Sequence, residues 1–255
     1  QIRGTTFIKA NSNTNNIAIG SDAGLITQGT KAVAMGDNAG RDTQGANAVA
    51  MGYTAGRFGQ GISAVSVGES AGYNGQNTYA VAVGYRAGCA VQGVNAVAMG
   101  YTAGMNAQGT SATAVGDSAG RVSQTTFATA VGSGAGYNAQ GNSSVAVGRL
   151  AGYNAQGDNS VAIGIQSGES AQGASATAVG RTSGRFNQGD YGTAVGQGAG
   201  TTSQGAHSVA VGLNAGVTVQ GINSVAIGNQ GGKTSQGDEA VAIGLTAGLT
   251  SQGIN

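Results

Sequence analysis

The chain contains no proline, no tryptophan and a single cysteine among its 255 residues. Cys89 alone cannot form an intrachain disulfide, so no cross-link framework holds the fold and the redox compartment is left open. Charged residues make up 8% and aromatic residues 5% of the chain. Large side chains are therefore too few for an ordinary globular core, and charges too few for a disordered segment. Eleven basic against ten acidic residues leave a net charge of +1, with neither sign gathered into a run. That excludes partners chosen by bulk electrostatics, so no nucleic acid is expected as a partner. The longest apolar runs are about five residues, so the chain itself is not expected to insert into a membrane. No basic-plus-apolar leader is present, but the chain begins with Gln1 rather than Met and this says nothing about export.

What the chain does have is glycine, fifty of them, and a period. From Asn16 onward it divides into fifteen units of sixteen residues without insertion or deletion. A repeat this regular means one supersecondary unit stacked on copies of itself. Numbering slots 1–16 from Asn16, slot 2 is always β-branched (Ile17, Val33, Val49, with Thr at 113, 129, 177 and 193) and slot 4 is Ile, Val or Met. Slots 1 and 3 are mostly Ala or Ser. This alternation, ended by glycine in slot 5 of every unit, reads as a short strand with a large-residue face and a small-residue face. Slots 6 and 7 vary freely, as turn positions do. Slot 8 is nearly always Ala and slot 9 always Gly. Slot 10 carries residues such as Arg41, Tyr73, Glu169 and Lys233, so a phase reset is expected at the slot 9 glycine. A second strand then runs from near slot 10 through slot 12 to slot 13, and the glycine of slot 14, replaced only by Asn77 and Thr125, closes the coil.

Two short strands and two glycine corners per sixteen residues predict an all-β parallel β-solenoid, a β-roll with one coil per repeat over residues 16–255. Stacked at about 4.8 Å, fifteen coils would form a rod on the order of 70 Å long. Residues 1–15 fit the repeat poorly, which suits either an N-terminal cap or a donor strand that adds to another subunit's open end. Filling the roll with the Val/Ile/Met face would leave the Ala/Ser face outside. Two such columns would expose about 500 Å² of small apolar surface, near the upper limit for a monomer, so the Ala/Ser face is expected to be covered by another copy of the chain.

Slot 13 is glutamine in every unit: Gln28, Gln44, Gln60, Gln76, Gln92, Gln108, Gln124, Gln140, Gln156, Gln172, Gln188, Gln204, Gln220, Gln236 and Gln252. An amide carries donors and an acceptor, so identical amides at strand spacing can bond one another in a ladder where carboxylates would repel. The file is expected to be structural, as a ladder or as amides that fix a turn.

The run Asn-Ser-Val-Ala-Ile-Gly at Asn159–Gly164 and Asn223–Gly228, with close variants in most units, resembles the head repeat of trimeric autotransporter adhesins, the YadA-like head. The resemblance implies a left-handed β-roll, three chains packed side by side, and an adhesin displayed on a microbial surface. The unit here is longer than the family's usual repeat and adds a Gln-Gly, and these 255 residues hold no neck motif, stalk or anchor barrel.

No catalytic constellation is visible, so the chain is not expected to be an enzyme. His207 is the only histidine and Cys89 has no partner His. Asp117 and Glu169 are isolated acids, giving neither a carboxylate pair nor a Ca²⁺ loop, and no metal or cofactor is expected. The glycine clusters at Gly132–Gly136 and Gly196–Gly200 are followed by no helix pattern, so they are repeat glycines and not a phosphate loop.

The expected function is an extracellular structural or adhesive rod on a microbial cell or virion surface, self-associating and contacting a host or cell-surface ligand. The residues expected on its variable turns are Tyr53, Tyr85, Tyr101, Arg41 and Arg57, acting together along the rod. A self-assembling head-to-tail filament is the alternative. Ice binding is a lesser one, suggested by the shared period and Ala-Gly-Tyr run of the bacterial ice-nucleation repeat (here Ala151–Tyr153) and by the file Thr202, Thr218, Thr234 and Thr250. That file spans four coils and has no second file beside it.

Overall fold

The computed structural model describes residues 8–11 and 15–253. No helix occurs among them, and the strands alternate between two sheets in which successive coils run parallel. The chain divides into two compact units, Gln1–Phe127 and Ala128–Asn255, and each is by itself a parallel β-solenoid with one sixteen-residue coil per turn.

Slots 2–4 form the first strand of each coil, and identical slots face each other from coil to coil. In the first unit Val33, Ala34 and Met35 pair with Val49, Ala50 and Met51. In the second, Val209, Ala210 and Val211 pair with Val225, Ala226 and Ile227. Slots 11–13 form the other sheet, as in Ala90–Gln92 and Thr218–Gln220. The corners are bonded from coil to coil as well: Gly40 N donates to Ala55 O at 2.9 Å and Thr54 N to Asp37 O at 2.9 Å. Backbone polar groups in the turns thereby find partners without a thick core to cover them.

The two faces of the first strand lie the opposite way round from expectation. The small face is inside: Ala32, Ala34 and Ala39 of slots 1, 3 and 8 are wholly buried, as are Ser66, Ser144 and Ser224. The large face is outside, with Met51, Met99 and Ile163 about 40% exposed (39%, 43% and 41%). The Ala/Ser face therefore cannot be the self-association surface. The physical reason is the glutamine of slot 13, whose side chain crosses the coil. The largest fully buried side chains of the described residues are these glutamines. With an amide spanning so narrow a coil, only methyl and hydroxymethyl groups fit beside it.

Two glycine positions are dictated by stacking. At slot 5, Gly164 has φ +126°, and an added Cβ would lie 2.5 Å from the Gly180 carbonyl oxygen of the next coil. At slot 9, Gly88 has φ +52°, and a Cβ would lie 2.7 Å from Gln92 Oε1. A second break in alternation sits at slot 12, where Val91 and Val219 hold φ of 49° and 47°. These β-branched residues in the left-handed region carry strain of about 1–3 kcal/mol each. Coil pairing skips that slot: Ala90 faces Asn106 and Gln92 faces Gln108. This bulge lets slot 11 look outward while slot 13 looks in.

Of residues 1–15, most lie outside the described residues. Ile8–Asn11 forms a strand antiparallel to Asn16–Ile19, with Ile8 opposite Ile19 and Asn11 opposite Asn16.

Candidate functional site

The glutamine file is interior. In every one of the fifteen units Nε2 donates to the main-chain carbonyl eleven residues earlier, in slot 2 of the same coil, at 2.7–3.1 Å. Each amide is thus a strut tying the second strand to the first. Amide-to-amide bonds join some neighbours, among them Gln76 to Gln92 at 3.2 Å and Gln172 to Gln188 and Gln188 to Gln204 at 3.1 Å. Elsewhere Ser66 intervenes, accepting from Gln60 Nε2 at 3.3 Å and donating to Gln76 Oε1 at 2.7 Å. The Oε1 atoms of Gln60, Gln156 and Gln220 are buried without a partner among the described residues. None of this is open to a ligand.

The surface residues expected to make contacts are partly gathered. Tyr53, Arg57 and Tyr85 line one groove of about 420 Å³ in the first unit. Three further residues of the same slots join them: Thr54, Tyr73 and Arg86, with Ser70 and Cys89 completing the wall. Slots 6, 7 and 10 from three successive coils thus converge. Tyr101 stands one coil further on and stacks against Tyr85, with centroids 5.2 Å apart and planes at 10°. Arg41 lies outside the groove, 4.0 Å from Asp42. The additional lining residues were findable in the sequence by reading slots 6, 7 and 10 as files and not as single turns.

The groove's rings are braced. Phe58 meets Tyr73 edge-on at 5.2 Å, and the Arg57 guanidinium lies 4.6 Å from the Phe58 centroid while its Nη1 donates to Tyr73 Oη at 3.4 Å. Across the groove, exposed Arg86 has its pKa raised above the ordinary value, chiefly by the neighbouring buried Cys89 side chain, with Tyr85 adding to the effect and partial desolvation opposing it. Neither Arg57 nor Arg86 is ion-paired among the described residues, whereas Arg185, in the second unit, pairs through Nε with Glu169.

Other residues singled out in the sequence have local partners. His207 stacks on Tyr191 at 4.9 Å. Three acids are used on backbone amides one coil earlier: Asp158 accepts from Asn142 N at 2.7 Å, and Asp190 and Asp238 from Ala174 N and Ile222 N at 2.8 Å. Thr202, Thr218 and Thr234 do form a file in register. Among the described residues no group of three His, Cys, Asp or Glu side chains could hold a metal ion, and no helix is long and apolar enough to cross a membrane.

Taken together, each unit is a glutamine-strutted β-roll with small residues inside, an apolar outer sheet face and variable turns. Residues 154–168 and 188–215 match the YadA head domain repeat, in two copies. The resemblance carried by the Asn-Ser-Val-Ala-Ile-Gly run is borne out there, and the sixteen-residue unit corresponds to one coil of the solenoid. No curated protein matches the chain. The matched repeat is one of a structural or adhesive kind.

Proposed function

We propose that the chain is the surface-displayed head of a self-associating microbial adhesin, of the trimeric autotransporter type, whose copies pack side by side through the outer Val/Ile/Met face. The observation that carries this reading is that face itself. Slots 2 and 4 hold only Val, Ile, Met and Thr, and these side chains stand half-exposed or exposed on the outer side of the sheet. Two such columns expose on the order of 500 Å² of apolar surface in each unit, as large as the largest patches of ordinary monomers. The YadA head repeat match supports the display on a cell surface and the adhesive role.

Sedimentation equilibrium on the purified protein tests the assembly. A discrete multiple of the 24.4 kDa chain is expected, reduced to the single chain by Val81→Lys with Val83→Lys while the β-sheet circular dichroism is kept. A monomer at tens of micromolar, or long fibres in place of a discrete oligomer, would overturn side-by-side packing. Labelling of intact producing cells with a membrane-impermeant reagent tests the location.

A further inference from the structure

We propose that the groove formed by Tyr53, Arg57, Tyr73, Tyr85 and Arg86 binds an acidic carbohydrate, a sugar bearing sulfate or carboxylate. The proposal deepens the adhesive reading and rests on it for where the ligand is met; the groove itself lies within a single unit of one chain, away from the slot 2 and slot 4 face.

The charge argument comes from a comparison inside the molecule. The pair Arg-Phe occurs twice in slots 10 and 11, as Arg57-Phe58 and Arg185-Phe186, and in both the guanidinium lies 4.6 Å from the ring centroid. At the second site the preceding coil supplies Glu169, which accepts from Arg185 Nε. At the first site the preceding coil supplies Arg41, another cation, and Arg57 Nε is buried with no partner. Arg86 adds a second guanidinium to the same groove. The one acid in the intervening coil, Glu69 in slot 6, is exposed, is not part of the lining and pairs with neither arginine. A chain of net charge +1 has therefore placed two guanidiniums, neither paired with a carboxylate among the described residues, at one concavity, and their planar donor edges suit sulfate or carboxylate oxygens.

The choice of sugar follows from what else lines the wall. The lining has three tyrosines and two hydroxyl residues, Thr54 and Ser70, bonded to each other at 3.0 Å, and no aliphatic side chain. A peptide anchor would need an apolar pocket, whereas the C–H faces of a pyranose pack on aromatic faces and its hydroxyls bond to tyrosine and threonine oxygens. Tyr85 is held by its stack on Tyr101 and Tyr73 by Phe58, so the aromatic shelf is in place before a ligand arrives. The volume, about 420 Å³, falls in the range of roughly 300–1,000 Å³ usual for small-ligand sites.

Titration calorimetry of the purified chain tests the groove, with a heparin-derived tetrasaccharide and sialyllactose as acidic probes and cellotetraose and oligoglutamate as controls. Binding of at least one acidic sugar is expected, about tenfold weaker in Arg57→Gln and in Arg86→Gln and unchanged in Arg185→Gln. Arg86 is exposed, so its replacement leaves the fold intact if the Arg57 variant does not. The proposal is overturned if no acidic sugar binds, if cellotetraose or oligoglutamate binds as well, or if Arg185→Gln loses as much as the groove variants. Sedimentation on the same sample keeps the two ideas apart: an assembled protein that binds no acidic sugar refutes the groove alone, and a monomer that binds refutes only the assembly.

Discussion

Replacing Gln92 by leucine isolates what the interior amides contribute. Gln92 is fully buried, donates to Val81 O at 2.7 Å and Ala96 O at 3.2 Å, and accepts from Gln76 Nε2 at 3.2 Å. Leucine keeps the volume and removes all three bonds. At about 1 kcal/mol net per bond, softened by the apolar burial gained, the loss is about 2–3 kcal/mol. Gln156 is the internal control. Only one bond is recorded for its side chain, to Val145 O at 2.8 Å, and its buried Oε1 has no partner among the described residues. Gln156→Leu gives up one bond and relieves one stranded acceptor, two effects of about 1 kcal/mol that oppose each other, so its cost is near zero. Because stacked repeats open locally, amide hydrogen exchange across each altered coil is the suitable assay. Exchange should speed about 30-fold or more around Gln92 and change by less than about threefold around Gln156, taking 1.4 kcal/mol per tenfold. Equal effects at the two positions would refute the strut argument. Gln92→Glu extends the test to pH, since an ionised carboxylate would set oxygen against the Val81 carbonyl oxygen. Burial raises that carboxyl's folded pKa above its unfolded value of about 4.3, so the variant is least stable above the folded value and regains stability as pH falls through it.

Three other outcomes follow from the packing. Gly164→Ala should cost on the order of 3 kcal/mol by thermal unfolding, because its Cβ meets the next coil's carbonyl at a φ that L-residues avoid. Gly59→Ala should stay within about 1 kcal/mol of the parent, since its nearest neighbours lie 4.0 Å away and Ala107 and Ala139 already occupy the same slot at φ 54° and 53°. Asp158→Ala should speed exchange of the Asn142 amide roughly fivefold, the effect of losing one bond of about 1 kcal/mol.

The repeat length, the two strands, the glycine corners and the parallel stacking of identical slots were all legible in the sequence. Each follows from a local rule applied over and over: alternation of two residue sizes, and glycine where no Cβ fits. Which face turns inward was not legible from size. Larger apolar residues usually fill a core, and here Val, Ile and Met lie outside because the space between the sheets is already crossed by glutamine. The invariance of Gln28 through Gln252 marked the file as structural, yet its partners depend on the distance between strands, which only the closed coil sets. The slot 12 bulge was not legible because most of its occupants, valine, alanine and serine, carry no mark of a positive φ, and only Gly59, Gly75 and Asn187 do. The groove at Tyr53, Arg57 and Tyr85 combines both cases. The sequence supplied its residue types and their spacing of sixteen and thirty-two, which stack the three turns, while the tertiary structure decided that those turns enclose a concavity and that no acid among the described residues pairs with Arg57.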